Sequence, residues 1–321
     1  MPLIYESSYS KRPFPLYNSY LETLIPYFTT KVCQVAYTRE RLELQDGDFL
    51  DLDWVYNRGE KLVILSHGFE GNSKDHFIEK TCAYLTGKGY DVLIWHYRSC
   101  GGELNRLPRL YHHGDIEDLG EVIAHAKGRQ EYKTISLIGF SMGGNLVINY
   151  LGSLQSKAEI DKAIVFSTPL NLKKSNEELQ KGFNKIIQRN FFAKFRKKVE
   201  KKQTQFPNLI SWKLLDQCKS LSDLLERIVL PLSGFHSLAD YYDRWSSLQF
   251  LPNIKVPLLI VNAQNDPLLS PGCYPKELAE KSKNIYLEAP KYGGHMGFTK
   301  RANGELWYVW RIAAFLKESN Q

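Results

Sequence analysis

Ser141 stands in GFSMGG (139–144), directly after the apolar run ISLI and directly before NLVINYLG. A serine hydroxyl is a poor nucleophile at neutral pH. It becomes a good one when an imidazole takes its proton and a carboxylate orients that imidazole. Gly139 and Gly143 flank it at two residues on either side. That spacing suits a strand-to-helix turn so sharp that side chains at those positions would collide. Such a turn lifts the hydroxyl clear of the strand end and aims a helix N-terminus at it. Two more residues have the right types in the right chain order. Asp266 lies in NAQNDPLLSP, just past the run PLLIVNA, and His295 lies in YGGHMGF, just past NIYLEAP. Taken singly, Asp266 before Pro267 reads as a turn initiator and His295 among small residues as a loop residue. Serine, then acid, then base, each past the carboxyl end of a strand, predicts acyl transfer through a covalent intermediate.

That chemistry also needs N–H donors for the negative oxygen of the tetrahedral intermediate, each worth roughly 10²- to 10³-fold in rate. The backbone N–H of Met142, next after the serine, is one candidate. The N–H of Phe69, in SHGFEG (66–71), is the other, with His67 expected to brace that loop. His112 and His113 in RLYHHGD lack the accompanying ligands of a metal site and read as loop packing. His236 and Asp240, in HSLADYYDRWSS, read as local hydrogen bonding.

Elements must carry these residues to one place. RLELQDGDFLDLDWV (41–55) alternates around an Asp-Gly turn and predicts a β-hairpin. LVILSHG, DVLIWHY, TISLIGF, AIVFS, PLLIVNA and NIYLEAP are nearly continuous apolar runs, as expected of strands covered on both faces. Helical patterns at HFIEKTCAYLTGKG, DIEDLGEVIAHAKG and NLVINYLGSL separate the early ones, with Asp115 as an N-cap for the second. The fold class is therefore α/β, a mostly parallel doubly wound sheet. About ninety residues separate AIVFS from PLLIVNA, where a crossover needs roughly 20 to 30. The expectation is a core of 1–170 and 251–321 with a helical cap or lid at 171–250. In it, Phe183, Ile187, Phe191, Phe195 and Val199 recur every four residues, the stripe of a docked helix.

The composition, 43% hydrophobic and 24% charged over 321 residues, is that of an ordinary globular chain. The net charge of +7 is concentrated in KFRKKVEKK (194–202), which reads as a solvated helix face or as a contact for a membrane surface. No zinc-finger or RNA-binding signature points to nucleic acid, and no Walker or G-x-G-x-x-G spacing points to a nucleotide cofactor. Cysteines 33, 82, 100, 218 and 273 form no CxxC pair and suit a reducing compartment. MPLIYESSYSKRPF has no signal-like apolar stretch, so a cytoplasmic location is expected.

HGFEGNSKDHFI, YRSCGGELNRLPRLYHHGDIEDL, GFSMGGN, DYYDRWSS, NAQNDPLLSP and GGHMGF occur in this order. Together they resemble the YheT-like branch of the α/β-hydrolases, relatives of the eukaryotic α/β-hydrolase domain lipases, over about residues 14 to 316. The resemblance implies a serine hydrolase of carboxylic esters without a cofactor, acting on a small ester or a lipid. It puts Ser141 at the nucleophile, Asp266 at the acid, His295 at the base and Phe69 at the oxyanion loop. There are departures. Tyr20 and Glu22 stand where the family usually has His and Gln, Ser99 where it has Gly, and His113 where it has a small residue. Two other readings stay open on sequence alone: an acyltransferase with the same triad, and a binding protein on a hydrolase scaffold.

Overall fold

The computed structural model describes residues 3–10, 12, 16–29, 34–299 and 304–318; Cys33 lies outside them. The apolar runs become β4 (Lys61–Ser66), β5 (Asp91–Trp95), β6 (Thr134–Phe140), β7 (Lys162–Phe166), β8 (Leu258–Val261) and β9 (Ile285–Glu288). The alternating stretch becomes a hairpin of β2 (Thr38–Glu43) and β3 (Phe49–Val55), turning at Gly47, whose φ of 84° suits a residue without a Cβ. A two-residue strand, β1 (Leu3–Ile4), pairs with β9 and has no apolar run to announce it. The order across the sheet is β1-β9-β8-β7-β6-β4-β5-β3-β2. Pairing is parallel from β1 through β5, and antiparallel where β3 joins β5 and β2.

Strand side chains alternate between two cores. Leu62, Ile64, Leu93, Trp95 and Leu137 face one side, and Val63, Leu65, Ile94 and Ile138 the other. Helices cover both faces: α1 (Ser19–Thr29), α2 (His76–Thr86), α3 (Ile116–Arg129) and α4 (Met142–Leu154) come before β7. The α/β class and hairpin expected from sequence are observed. Asp115 does not cap α3 through its side chain. Its carboxylate is drawn backward to the His112 N–H at 2.7 Å and to Arg109 at 3.0 Å.

Between β7 and β8 the chain forms α5 (Leu172–Leu179), α6 (Asn184–Gln205), α7 (Trp212–Gln217), α8 (Leu221–Leu224), α9 (Leu230–Leu232) and α10 (Leu238–Trp245). A π-helical turn at Leu225–Val229 joins α8 to α9. Two more helices complete the described residues, α11 (Lys276–Lys281) and α12 (Trp307–Lys317). The chain leaves β4 for β5 on one side and then crosses to β6 on the other. The loops after β4 and β6 thus flank the crevice at which open α/β sheets build their sites.

Candidate active site

Ser141 occupies that crevice with φ 53° and ψ −116°. A non-glycine residue so placed carries roughly 1–3 kcal/mol of backbone strain and needs surroundings that impose it. Its N–H donates to the Phe166 carbonyl at 2.8 Å, locking the turn against the neighbouring strand. The glycines are needed for space. A Cβ on Gly139 would lie 2.5 Å from the Gly143 oxygen, and one on Gly143 would lie 2.2 Å from the Ser66 oxygen. Gly144, a third requirement, is pressed on Thr168, whose Oγ1 would be 2.0 Å from an added Cβ.

The three chemistry-bearing side chains meet. His295 Nε2 lies 3.1 Å from Ser141 Oγ, and its Nδ1 lies 2.9 Å from Asp266 Oδ2 and 3.1 Å from Oδ1. The Asp266 side chain is fully buried, and its Oδ1 also accepts the Leu268 N–H at 2.9 Å. His295 stays partly exposed, so a substrate can reach it.

Sequence reasoning missed what holds the histidine. The fully buried Glu22, on α1, accepts from the Gly293 N–H at 2.8 Å and Asn265 Nδ2 at 2.7 Å through Oε2, and from Arg12 Nε at 2.6 Å through Oε1. Thr23 Oγ1 accepts the His295 N–H at 2.9 Å, and Asn265 Oδ1 accepts the Gly294 N–H at 3.0 Å. One carboxylate thus ties the loop bearing Asp266 to the loop bearing His295. The one hint in the sequence was that Glu22 stands where the resemblance leads to an expectation of glutamine.

The Phe69 and Met142 N–H groups have no hydrogen-bond partner among the described residues. Met142 opens α4, so its N–H has no acceptor within the helix. A Cβ built on Gly68 would lie 3.7 Å from the Ser141 Cβ, so the Phe69 loop stands beside the serine. Fully buried His67 braces that loop: Nδ1 contacts the Gly68 oxygen at 2.7 Å, and its carbonyl accepts from Tyr97 Oη at 2.6 Å. Burial pushes its pKa down to about 3, so the ring is neutral. The Phe69 ring is wedged between Tyr111, Phe191 and Phe195. Adjacent Glu70 is held by Lys198 at 2.6 Å and Tyr111 Oη at 2.7 Å.

The basic run is accordingly not one solvated face. Lys198 turns inward to Glu70. Buried Lys202 donates to the carbonyls of Asn105 and Leu107, and burial lowers its pKa to about 8. Lys194, Lys197 and Lys201 are exposed. The phenylalanine stripe is also divided: Phe195 and Val199 are buried, Phe191 lines the cavity beside Ser141, and Phe183 is 45% exposed. That cavity, of about 120 Å³, has apolar walls that include Phe69, Leu172, Leu221 and Leu225. His112 contacts Asp115 at 3.3 Å, and its Nδ1 accepts the Gly114 N–H at 3.0 Å. His113 is more than loop packing, because it lines the cavity. The Asp240 carboxylate accepts the His236 N–H at 3.3 Å, a local turn contact.

A doubly wound sheet with a strained serine at its central crevice defines a hydrolase of the α/β class. The chain belongs to the serine aminopeptidase S33 family, whose model matches residues 57–288. It is similar to the YheT protein of Escherichia coli K12, at 27% identity over 93% of this chain and 90% of that one. Phospholipase ABHD3 of Homo sapiens is 28% identical over 86% of this chain and 70% of its own. Among solved structures, an esterase of Pyrococcus furiosus, Pf2001, has the same fold, with a TM-score of 0.60 and 21% identity over 89% of this chain and 93% of that chain. The expected likeness to the YheT-like branch is borne out.

Proposed function

We propose that the chain hydrolyses carboxylic esters through an acyl-enzyme on Ser141. His295 Nε2 takes the Oγ proton as Oγ attacks the ester carbonyl, and Asp266 stabilises the imidazolium. The N–H groups of Phe69 and Met142 receive the negative oxygen. His295 returns the proton to the leaving alcohol. It then draws one from water as the water oxygen attacks the acyl carbon, and passes that proton to Ser141 Oγ as the bond to the acyl carbon breaks and the carboxylic acid leaves. The 3.1 Å contact between His295 Nε2 and Ser141 Oγ, with Nδ1 on Asp266, is the observation that carries this reading. The names of the curated relatives, a phospholipase and an esterase, favour an ester, and largely apolar cavity walls suit an acyl chain.

The helices of residues 171–250 act as the cap, contributing Leu172, Phe191, Leu225 and Tyr242 to the cavity wall. The outward cations Lys194, Lys197 and Lys201 of α6 rest that cap on an anionic lipid surface. None of the described helices is long and apolar enough to cross a membrane. Cys82, Cys100, Cys218 and Cys273 are free thiols, which suits work in the reducing cytoplasm. Reaction with a fluorophosphonate tests the mechanism. The wild type should take one adduct at Ser141, Ser141→Ala should take none, and Asp266→Asn should react about 10³- to 10⁴-fold more slowly. Equal labelling of wild type and Ser141→Ala would sink the assignment.

A further inference from the structure

The reaction does not use one polar group in the cavity wall. His113 lines the cavity together with Tyr241 and Tyr242. Its backbone is pinned from both sides: the N–H donates to Tyr241 Oη at 3.1 Å, and the carbonyl accepts from buried Asn149 Nδ2 at 3.0 Å. Tyr241 Oη also meets His113 Nδ1. The tyrosine is 2% exposed, and Nδ1 is the one acceptor its hydroxyl reaches among the described residues. The O–H therefore donates to Nδ1, and the ring proton sits on Nε2. Burial holds the His113 pKa down to about 3, so the imidazole is neutral at physiological pH. Its Nε2–H then has no hydrogen-bond partner among the described residues. His113 is only partly buried and Nε2 is not among the buried unpartnered atoms, so this donor is open to an acceptor carried by the occupant of the cavity.

We propose that His113 selects the substrate, its Nε2–H donating to an oxygen carried by the chain lodged in the cavity. The favoured esters then carry an ether, oxo or hydroxyl oxygen on a short chain and are preferred over all-carbon chains of equal length. Shortness follows from volume. About 120 Å³ is somewhat less than the ~150 Å³ that accommodates a benzene ring. This inference rests on the ester-hydrolase reading. It adds a chemical class that the triad alone does not specify.

The test uses two matched pairs of esters. On the acyl side, p-nitrophenyl 3-methoxypropanoate is compared with p-nitrophenyl pentanoate. On the alcohol side, 2-methoxyethyl acetate is compared with butyl acetate. For each pair the ratio of kcat/KM is measured in wild type, His113→Phe and Tyr241→Phe, and dividing one enzyme's ratio by another's cancels intrinsic reactivity. The wild-type preference for the oxygen-bearing ester should exceed that of His113→Phe by about tenfold on the side that lodges in the cavity, and should equal it on the other. Tyr241→Phe keeps the ring of His113 but removes the hydroxyl that fixes its tautomer and orientation, so it should lose part of the preference. If His113→Phe does not fold, Tyr241→Phe carries the comparison alone. A wild type that labels with fluorophosphonate at Ser141 yet shares the variants' ratios on both sides overturns the inference and leaves the hydrolase reading intact. A wild type that neither labels nor turns over any of the four esters overturns the hydrolase reading, and this inference with it.

Discussion

Glu22 shows how much of a site rests on residues that never touch the reacting atoms. It is 271 positions from Gly293, whose N–H it accepts, so no local spacing could reveal it. Ser141, Asp266 and His295 were legible because each advertises itself locally, by flanking glycines or by its place after an apolar run, and because their chain order has a meaning. His113 was under-read, since its role depends on Tyr241, 128 positions away. Ser99, where the resemblance led to an expectation of glycine, sits at φ 64°, and Oγ contacts to Asn105 help to hold it. Glu22→Ala should leave the Gly293 N–H and Asn265 without their acceptor and Arg12 without its partner. Breaking a buried pair of this kind costs roughly 3–5 kcal/mol, here reduced because Arg12 is one-third exposed. A several-degree fall in Tm and a fall in kcat of about tenfold are expected, with KM little changed. Glu22→Gln should recover part of kcat. Unaltered kcat in Glu22→Ala would show that His295 needs no such brace.

At the scale of elements, α6 is the informative case. Its four-residue period predicted one buried stripe, which Phe195 and Val199 obey, whereas Phe183 at the helix's N-terminal end is left 45% exposed. The charge run misled in a different way. Counting cations cannot tell that Lys198 finds Glu70 and Lys202 finds two carbonyls, because those partners belong to loops after β4 and β5. The cations left outside make the lipid contact testable. Lys197→Glu combined with Lys201→Glu should weaken binding to phosphatidylserine-containing vesicles at least about tenfold, at ~1 kcal/mol per cation near the surface. Binding to purely zwitterionic vesicles should not change. Equal binding of wild type and the double variant to the anionic vesicles would remove the membrane from the account.

For the whole molecule, the class of the sheet, mostly parallel and doubly wound, followed from short buried runs alternating with helices. The path of the chain before β2 did not, since β1 is two residues long and α1 contains Pro26. Stability should depend on pH in a direction set by buried neutral histidines. Burial lowers His67, His112 and His113 to about 3 and His76 to about 4. In the unfolded chain these rings titrate near ~6.5. Between those values the unfolded state binds more protons, so acidification through pH ~6.5 removes stability, at up to ~1.4 kcal/mol per pH unit for each ring. Asp75, raised to about 6 by burial, works the other way. His67→Gln should therefore show a shallower loss than wild type in denaturant titrations between pH 7.5 and 5. Parallel curves for the two proteins would mean that His67 is not held neutral.

The central claim, that Ser141 carries the acyl group, is tested most directly by the intact mass of enzyme acid-quenched within milliseconds of mixing with excess p-nitrophenyl butanoate. The wild type should gain one butanoyl group, located by peptide mapping to Ser141, and Ser141→Ala should gain none and release no p-nitrophenol above background. Turnover by Ser141→Ala at the wild-type rate, or an acyl group found on another residue, would contradict the account.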